Sequence, residues 1–171
     1  PAHTLAAGGI AAVGMATLLS QDREGGQSGR GYLNLFNLPA YRDTWRQAMI
    51  DTRLLLDSLE TATVPDACGD EASFDTSTML VMGQSAGGHL STEIAALDPR
   101  VSAAVPTGSG GFWSLVLTTN PREGVPPELI AVALGTDVVP DAMHPGLAIV
   151  QQAWEAAEPL VYAPRIAHSP L

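Results

Sequence analysis

Thr78-Met79-Leu80-Val81-Met82-Gly83-Gln84-Ser85-Ala86-Gly87-Gly88-His89-Leu90 is the stretch whose reading decides the fold. Thr78 to Met82 is short and apolar, which suits a strand buried on both faces. Gly83 to Gly88 then forces a sharp turn. His89 to Leu97 reads as a helix stopped by Asp98-Pro99. Inside the turn, Gly83-Gln84-Ser85-Ala86-Gly87 fits the pattern G-x-S-x-G, and it lies between a strand and a helix as that pattern requires. A serine on so tight a turn takes strained dihedrals. Positions two residues to either side must be small, or their side chains would meet strand and helix. The turn lifts the Ser85 hydroxyl above the sheet edge at a helix N-terminus, where negative charge is favoured. The Ala86 N–H points where an oxyanion would form.

Working outward, strand and helix alternate, which argues for an α/β sheet. Upstream, Tyr41 to Glu60 is the clearest helix. Tyr41, Trp45, Ala48, Met49, Thr52, Leu55, Leu56 and Leu59 follow the helical repeat, with Arg46, Asp51, Arg53 and Asp57 opposite. Pro1 to Ala7 reads as a helix end stopped by Gly8 and Gly9, and Ile10 to Met15 as a buried parallel strand. Residues 20–40 and Thr61 to Thr76 read as loops. The Gly-rich run Gly25 to Gly31 lacks the Lys and Ser/Thr of a phosphate loop, and Asp22-Arg23-Glu24 reads as a solvated loop or a structural ion pair. Downstream, Val101 to Val105 is a further strand, Gly108 to Gly111 a turn, and Leu147 to Ala157 a helix. Phe112 to Leu117 suits either an acyl pocket or core.

Composition excludes several classes. The chain has 171 residues, 46% hydrophobic and only 15% charged, with mean hydropathy +0.14. That suits one globular domain with a true core and argues against disorder. Eighteen acidic residues against eight basic ones, all arginine, give a net charge of −10. Such a chain repels phosphate backbones, so no nucleic-acid partner is expected. The single cysteine, Cys68, excludes an internal disulfide or a Cys-rich metal site. No apolar run reaches a membrane span, and Leu5 to Leu19, without a basic leader, does not suit a signal peptide. The chain reads as soluble, in a bacterial cytoplasm or secreted, with its compartment open.

Met82 to Leu90, MGQSAGGHL, resembles the nucleophile elbow of the α/β-hydrolase superfamily, and the chain resembles its bacterial esterase- and lipase-like members. Arg42 to Glu60 resembles the helix before the nucleophile strand, and Arg100 to Gly111 the strand and loop after the nucleophile helix. His144-Pro145, Leu147, Gln151, Pro159-Leu160 and Tyr162-Ala163 resemble a helical cap region. The resemblance implies a partial, mostly parallel sheet flanked by helices on both faces, with a helical cap. Residues 1–111 would form the core segment with the elbow, 112–157 the cap, and 158–171 a return segment or tail. The oxyanion loop upstream of Ile10 and the final strands after Ala163 have no counterpart, so the chain reads as the middle of such a hydrolase.

The activity implied is hydrolysis of a carboxylic ester with an apolar acyl group. Ser85 would be the nucleophile of an acyl-enzyme and Ala86 N–H an oxyanion donor, with Gly83, Gln84 and Gly87 completing the elbow. No metal or organic cofactor is implied. The order Ser85, Asp137, His168 matches the superfamily's order of triad residues, with Asp141 a second acid. Glu128 to Leu134 imitates the acid-bearing strand, and the alternative is an amphipathic cap helix with Asp137 on its exit loop. His89 reads as a packing or capping residue, His144 as a helix start, and His3 has no identifiable partner. Other readings are a thioesterase, acyltransferase or peptidase on the same fold. A non-catalytic hydrolase-like fragment or scaffold remains a further alternative. The open sheet edges predict another polypeptide segment or chain completing the sheet.

Overall fold

The computed structural model describes residues 2–18, 23, 37–66, 68–119 and 126–166. Among these residues the chain is mixed α/β, with seven α-helices and two separate two-stranded sheets. Strand β3 (Met79–Gln84) runs into helix α3 (Ala86–Leu97), which returns to strand β4 (Val101–Thr107). β3 and β4 pair in parallel, with Leu80 opposite Ala103, Met82 opposite Val105 and Gln84 opposite Thr107. This right-side-up pairing is the product of one βαβ unit, because parallel neighbours need a crossover of helical length. Helix α3 packs on both strands. On the opposite face Leu80 and Met82 are each 55% exposed and Val105 50%. The expected cover of helices on both faces is therefore corrected: the described sheet is covered by α3 on one side only.

Helix α2 (Leu38–Leu59) starts three residues before the expected Tyr41, because Asn37 caps it by accepting from Ala40 N–H at 3.2 Å and a proline sits in its first turn. Its buried face is Tyr41, Trp45, Ala48, Met49 and Leu56, the apolar stripe of the sequence. Against it pack α3, helix α4 (Trp113–Thr119), helix α6 (Pro145–Trp154) and the 3₁₀ turn Glu155–Ala157, all joined in one core cluster. The centre of this core is aromatic. Tyr41 lies 4.2 Å from Trp154 between ring centroids and meets Trp113 edge-on at 5.6 Å. Such tilted and T-shaped pairs satisfy the ring quadrupoles as well as burying area. Trp113 and Leu117 thus take the core reading of the Phe112 to Leu117 run.

Helix α1 (Ala2–Ala7) ends at Gly8-Gly9 as expected, with Gly9 at φ 77°. Ile10 to Met15 is not a strand: it is exposed along its length and pairs with neither sheet. The apolar run gives no partner edge, and a strand needs one. The expected loop from Thr61 to Thr76 instead holds an antiparallel hairpin, β1 (Thr63–Pro65) with β2 (Glu71–Ser73). Helix α5 (Pro127–Leu134) settles the reading of Glu128 to Leu134 as a helix, closed by Gly135 at φ 66°. Past the expected last helix comes another, α7 (Pro159–Ile166), packed along α3 where a return segment or tail was expected. Among the described residues no helix is long and apolar enough to cross a membrane. The Gly25 to Gly31 run and His168 lie outside the described residues. From the Asp22-Arg23-Glu24 stretch, Arg23 pairs with Asp51 on α2.

Candidate functional site

The site is built on the β3–α3 turn. Ser85 holds φ 53° and ψ −119° and is exposed. It shares positive φ among described non-glycine residues with Phe112 alone. A left-handed φ of this kind costs a serine about 1–3 kcal/mol, so the surroundings must impose it. They do so by hydrogen bonds. Ser85 N–H donates to Thr107 O at 2.9 Å, which extends the β3–β4 ladder into the turn. Ser85 O accepts from Gly88 N–H at 2.8 Å and His89 N–H at 3.1 Å, starting α3. Thr107 Oγ1 donates to Gly83 O at 2.9 Å.

Glycine is required at two places, and only one of them is a pattern position. A Cβ on Gly83 would overlap the carbonyl of Gly87, so strand and helix meet backbone to backbone here. Gly87 itself has open space where its Cβ would go. The second tight position is Gly88, whose Cβ would lie 2.8 Å from Ser109 Cβ and 3.0 Å from Thr107 O. That contact brings the turn after β4 against the elbow. The sequence signal was the doubled glycine at 87–88, of which the pattern uses only the first. Gln84 ends β3 beside Thr107 and is exposed.

The Ala86 N–H belongs to the first turn of α3, where amides have no intrahelical acceptor. None of the hydrogen bonds that fix the turn uses it. Among the described residues it has no acceptor, which leaves it able to meet an anion beside Ser85. Among the described residues no hydrogen bond joins the Ser85 hydroxyl to a histidine or a carboxylate.

Two of the described histidines, His89 and His144, are engaged elsewhere. His89 is buried in the aromatic core, 4.6 Å from Trp113 and 5.8 Å from Trp45 between ring centroids. Its Nε2 accepts from Gly110 N–H at 3.0 Å, so the ring proton sits on Nδ1. Burial pushes its pKa below the usual histidine value, with the nearby Glu158 opposing. His144 Nδ1 caps α6 by accepting from Gly146 N–H at 3.1 Å. Of the acid candidates, Asp137 is exposed beyond α5, and Asp141 accepts from Met143 N–H at 2.9 Å within its own turn. Neither acid's carboxylate is hydrogen-bonded to Ser85 or to the imidazole of a described histidine, and His168, the base candidate of the order Ser85, Asp137, His168, lies outside the described residues.

One buried network went unread in the sequence. Glu158 accepts from Phe112 N–H (2.9 Å), Trp113 N–H (3.0 Å), Leu160 N–H (3.2 Å) and Gln151 Nε2 (2.8 Å). Gln151 Oε1 in turn accepts from Ser114 N–H at 3.0 Å. The carboxylate thus fixes the start of α4 and, through it, the 108–112 turn beside the elbow. Metal chemistry finds no cluster of three ligating side chains among the described residues. Comparison with protein-family models, curated proteins and solved structures found no match.

Proposed function

We propose that this chain is a serine hydrolase of carboxylic esters built on an α/β-hydrolase core. The observation that supports the reading is Ser85 itself: exposed, at φ 53°, held between a parallel strand and the first turn of a helix. Strained residues cluster at active sites, and here the hydrogen bonds of the turn hold Ser85 in that conformation. In the reaction Ser85 Oγ attacks the ester carbonyl carbon while a general base takes its proton, and the base returns that proton to the leaving oxygen as the C–O bond breaks, giving the alcohol and the acyl-enzyme. Water then attacks the acyl carbon and frees the acid. Ala86 N–H binds the oxyanion in both steps, with the α3 N-terminus adding its partial positive charge. The half-exposed Leu80, Met82 and Val105 suit a second polypeptide segment that completes the sheet.

The second reading is a non-catalytic hydrolase-like scaffold. It is favoured by one observation: the described histidines are spent on Gly110 and Gly146 or lie on the exposed α1. Without a base, a serine elbow loses several orders of magnitude in rate. Hydrolysis of p-nitrophenyl esters of two- to eight-carbon acids separates the two. Turnover that Ser85→Ala reduces by at least about a thousandfold supports the enzyme. Equal rates with and without Ser85 support the scaffold.

A further inference from the structure

Glu93 is a buried acid that the proposed chemistry does not use. It sits on α3 one turn beyond His89, is fully buried, and neither of its carboxyl oxygens has a hydrogen-bond partner among the described residues. Buried carboxylates are tolerated only when paired or hydrogen-bonded, so a lone buried carboxyl must hold its proton. Glu158 shows the contrast. It lies near enough to act on Glu93 electrostatically, but its four N–H donors satisfy a full negative charge. Glu93 also acts on Tyr162 of α7, which packs on α3, so both acids lie close to the α3–α7 packing, one solvated by protein donors and one by nothing.

We propose that Glu93 is a proton latch, which keeps the seam between α3 and α7 shut while its carboxyl is protonated and opens it when the proton is lost to solvent. The seam is the structural lever. α7 packs along α3, and Glu158 immediately before α7 fixes the start of α4 beside the elbow. Leu160 on α7 is also packed against Gly111, where an added Cβ would fall 3.0 Å from Leu160 Cδ2. Lifting α7 frees both contacts. The latch is independent of what Ser85 does.

Burial first, and the Glu158 charge second, push the Glu93 pKa up to about 8 in the closed form. Once open to water the same group ionises near 4.5. Closed binds more protons than open between those values, so opening gains about tenfold per pH unit across that window and levels off on either side. The neighbours do not confuse the window above pH 6.5. His89 on α3 is neutral there because its pKa is depressed. Tyr162 on α7, which feels Glu93, Arg165 and Arg46 of α2, is raised above its ordinary value of 10 and stays neutral.

Amide hydrogen exchange of the full chain, expressed as protection factors for Leu160 to Ala163, Arg165 and Ile166, tests this between pH 6.5 and 8. The wild type should lose about 15-fold in protection across the interval. Glu93→Gln and Glu93→Met should show none of that loss. A wild-type seam whose protection is independent of pH overturns the latch, whether or not the variants fold. A Glu93→Gln or Glu93→Met chain that keeps the wild-type loss overturns it as well.

Discussion

Gly110 donates its backbone N–H to Nε2 of the buried His89 at 3.0 Å, so the turn beside Ser85 hangs from the unprotonated nitrogen of an imidazole. Protonation of that nitrogen would remove the acceptor and place a charge among Trp45 and Trp113. The unfolded chain protonates His89 near 6.5, whereas the folded chain resists it. The folded-state pKa is depressed, so this contribution to stability is complete above about pH 6.5 and is lost as pH falls toward the folded value. Urea midpoints from pH 7 to 5 check it. The wild type should lose ground relative to His89→Phe, which does not titrate. A constant difference between the two would sink this account of His89.

The elbow's steric demand is one-sided. Gly83→Ala drives a Cβ into the Gly87 carbonyl, and neither side is a movable side-chain end. It should cost about 3 kcal/mol or prevent folding. Gly87→Ala enters open space at a helical position without positive φ and should stabilise by about 0.5–1 kcal/mol. Chemical denaturation of both variants decides, and equal effects would contradict the geometry.

Strain at Ser85 predicts an inverted order of two small substitutions. Alanine keeps the φ of 53° and its penalty, whereas glycine removes it. Ser85→Gly should be more stable than Ser85→Ala by about 1 kcal/mol, although glycine normally destabilises. The usual order, with alanine ahead, would mean that the turn is relaxed.

Asp98 closes α3 and gathers arginines: Arg100 Nη2 lies 2.6 Å and Arg53 Nε 3.4 Å from its Oδ2. The Arg100 bonds hold its carboxyl down at about 2, below the ordinary 3.8. A depressed acid stabilises fully above its unfolded value and loses that effect as pH falls through the folded one. The wild type should therefore lose stability between pH 4 and 2 more steeply than Asp98→Asn. Parallel acid transitions in the two chains would show the pair to be without effect.

The sequence made some of this visible and hid the rest for physical reasons. Apolar residues at helical spacing exposed the buried face of α2, because a one-sided helix must repeat its apolar positions. The elbow was legible because Gly83 answers a backbone clash that no other residue can avoid. Ile10 to Met15 was misread because an apolar run does not name the edge it pairs with. The hairpin at 63–73 escapes the pattern for the opposite reason: each strand is three residues long with one apolar residue, Val64 or Ala72, too short for an alternation to stand out. Pro159 and Pro164 hid α7, since proline reads as a breaker; Pro159 opens the helix, where proline is tolerated, and Pro164 lies in its last turn. Glu93 and Glu158 look like ordinary solvated acids until packing buries them. The loss of helix cover on one sheet face could not be read at all, because β3 is apolar on both sides.

The central claim is that Ser85 is a nucleophile. A fluorophosphonate probe added to the folded full chain, followed by intact mass and peptide mapping, asks this of the hydroxyl itself. The account predicts one probe adduct, on Ser85, which disappears when the chain is unfolded beforehand. A folded chain that leaves Ser85 unlabelled, or labels other serines equally, contradicts it.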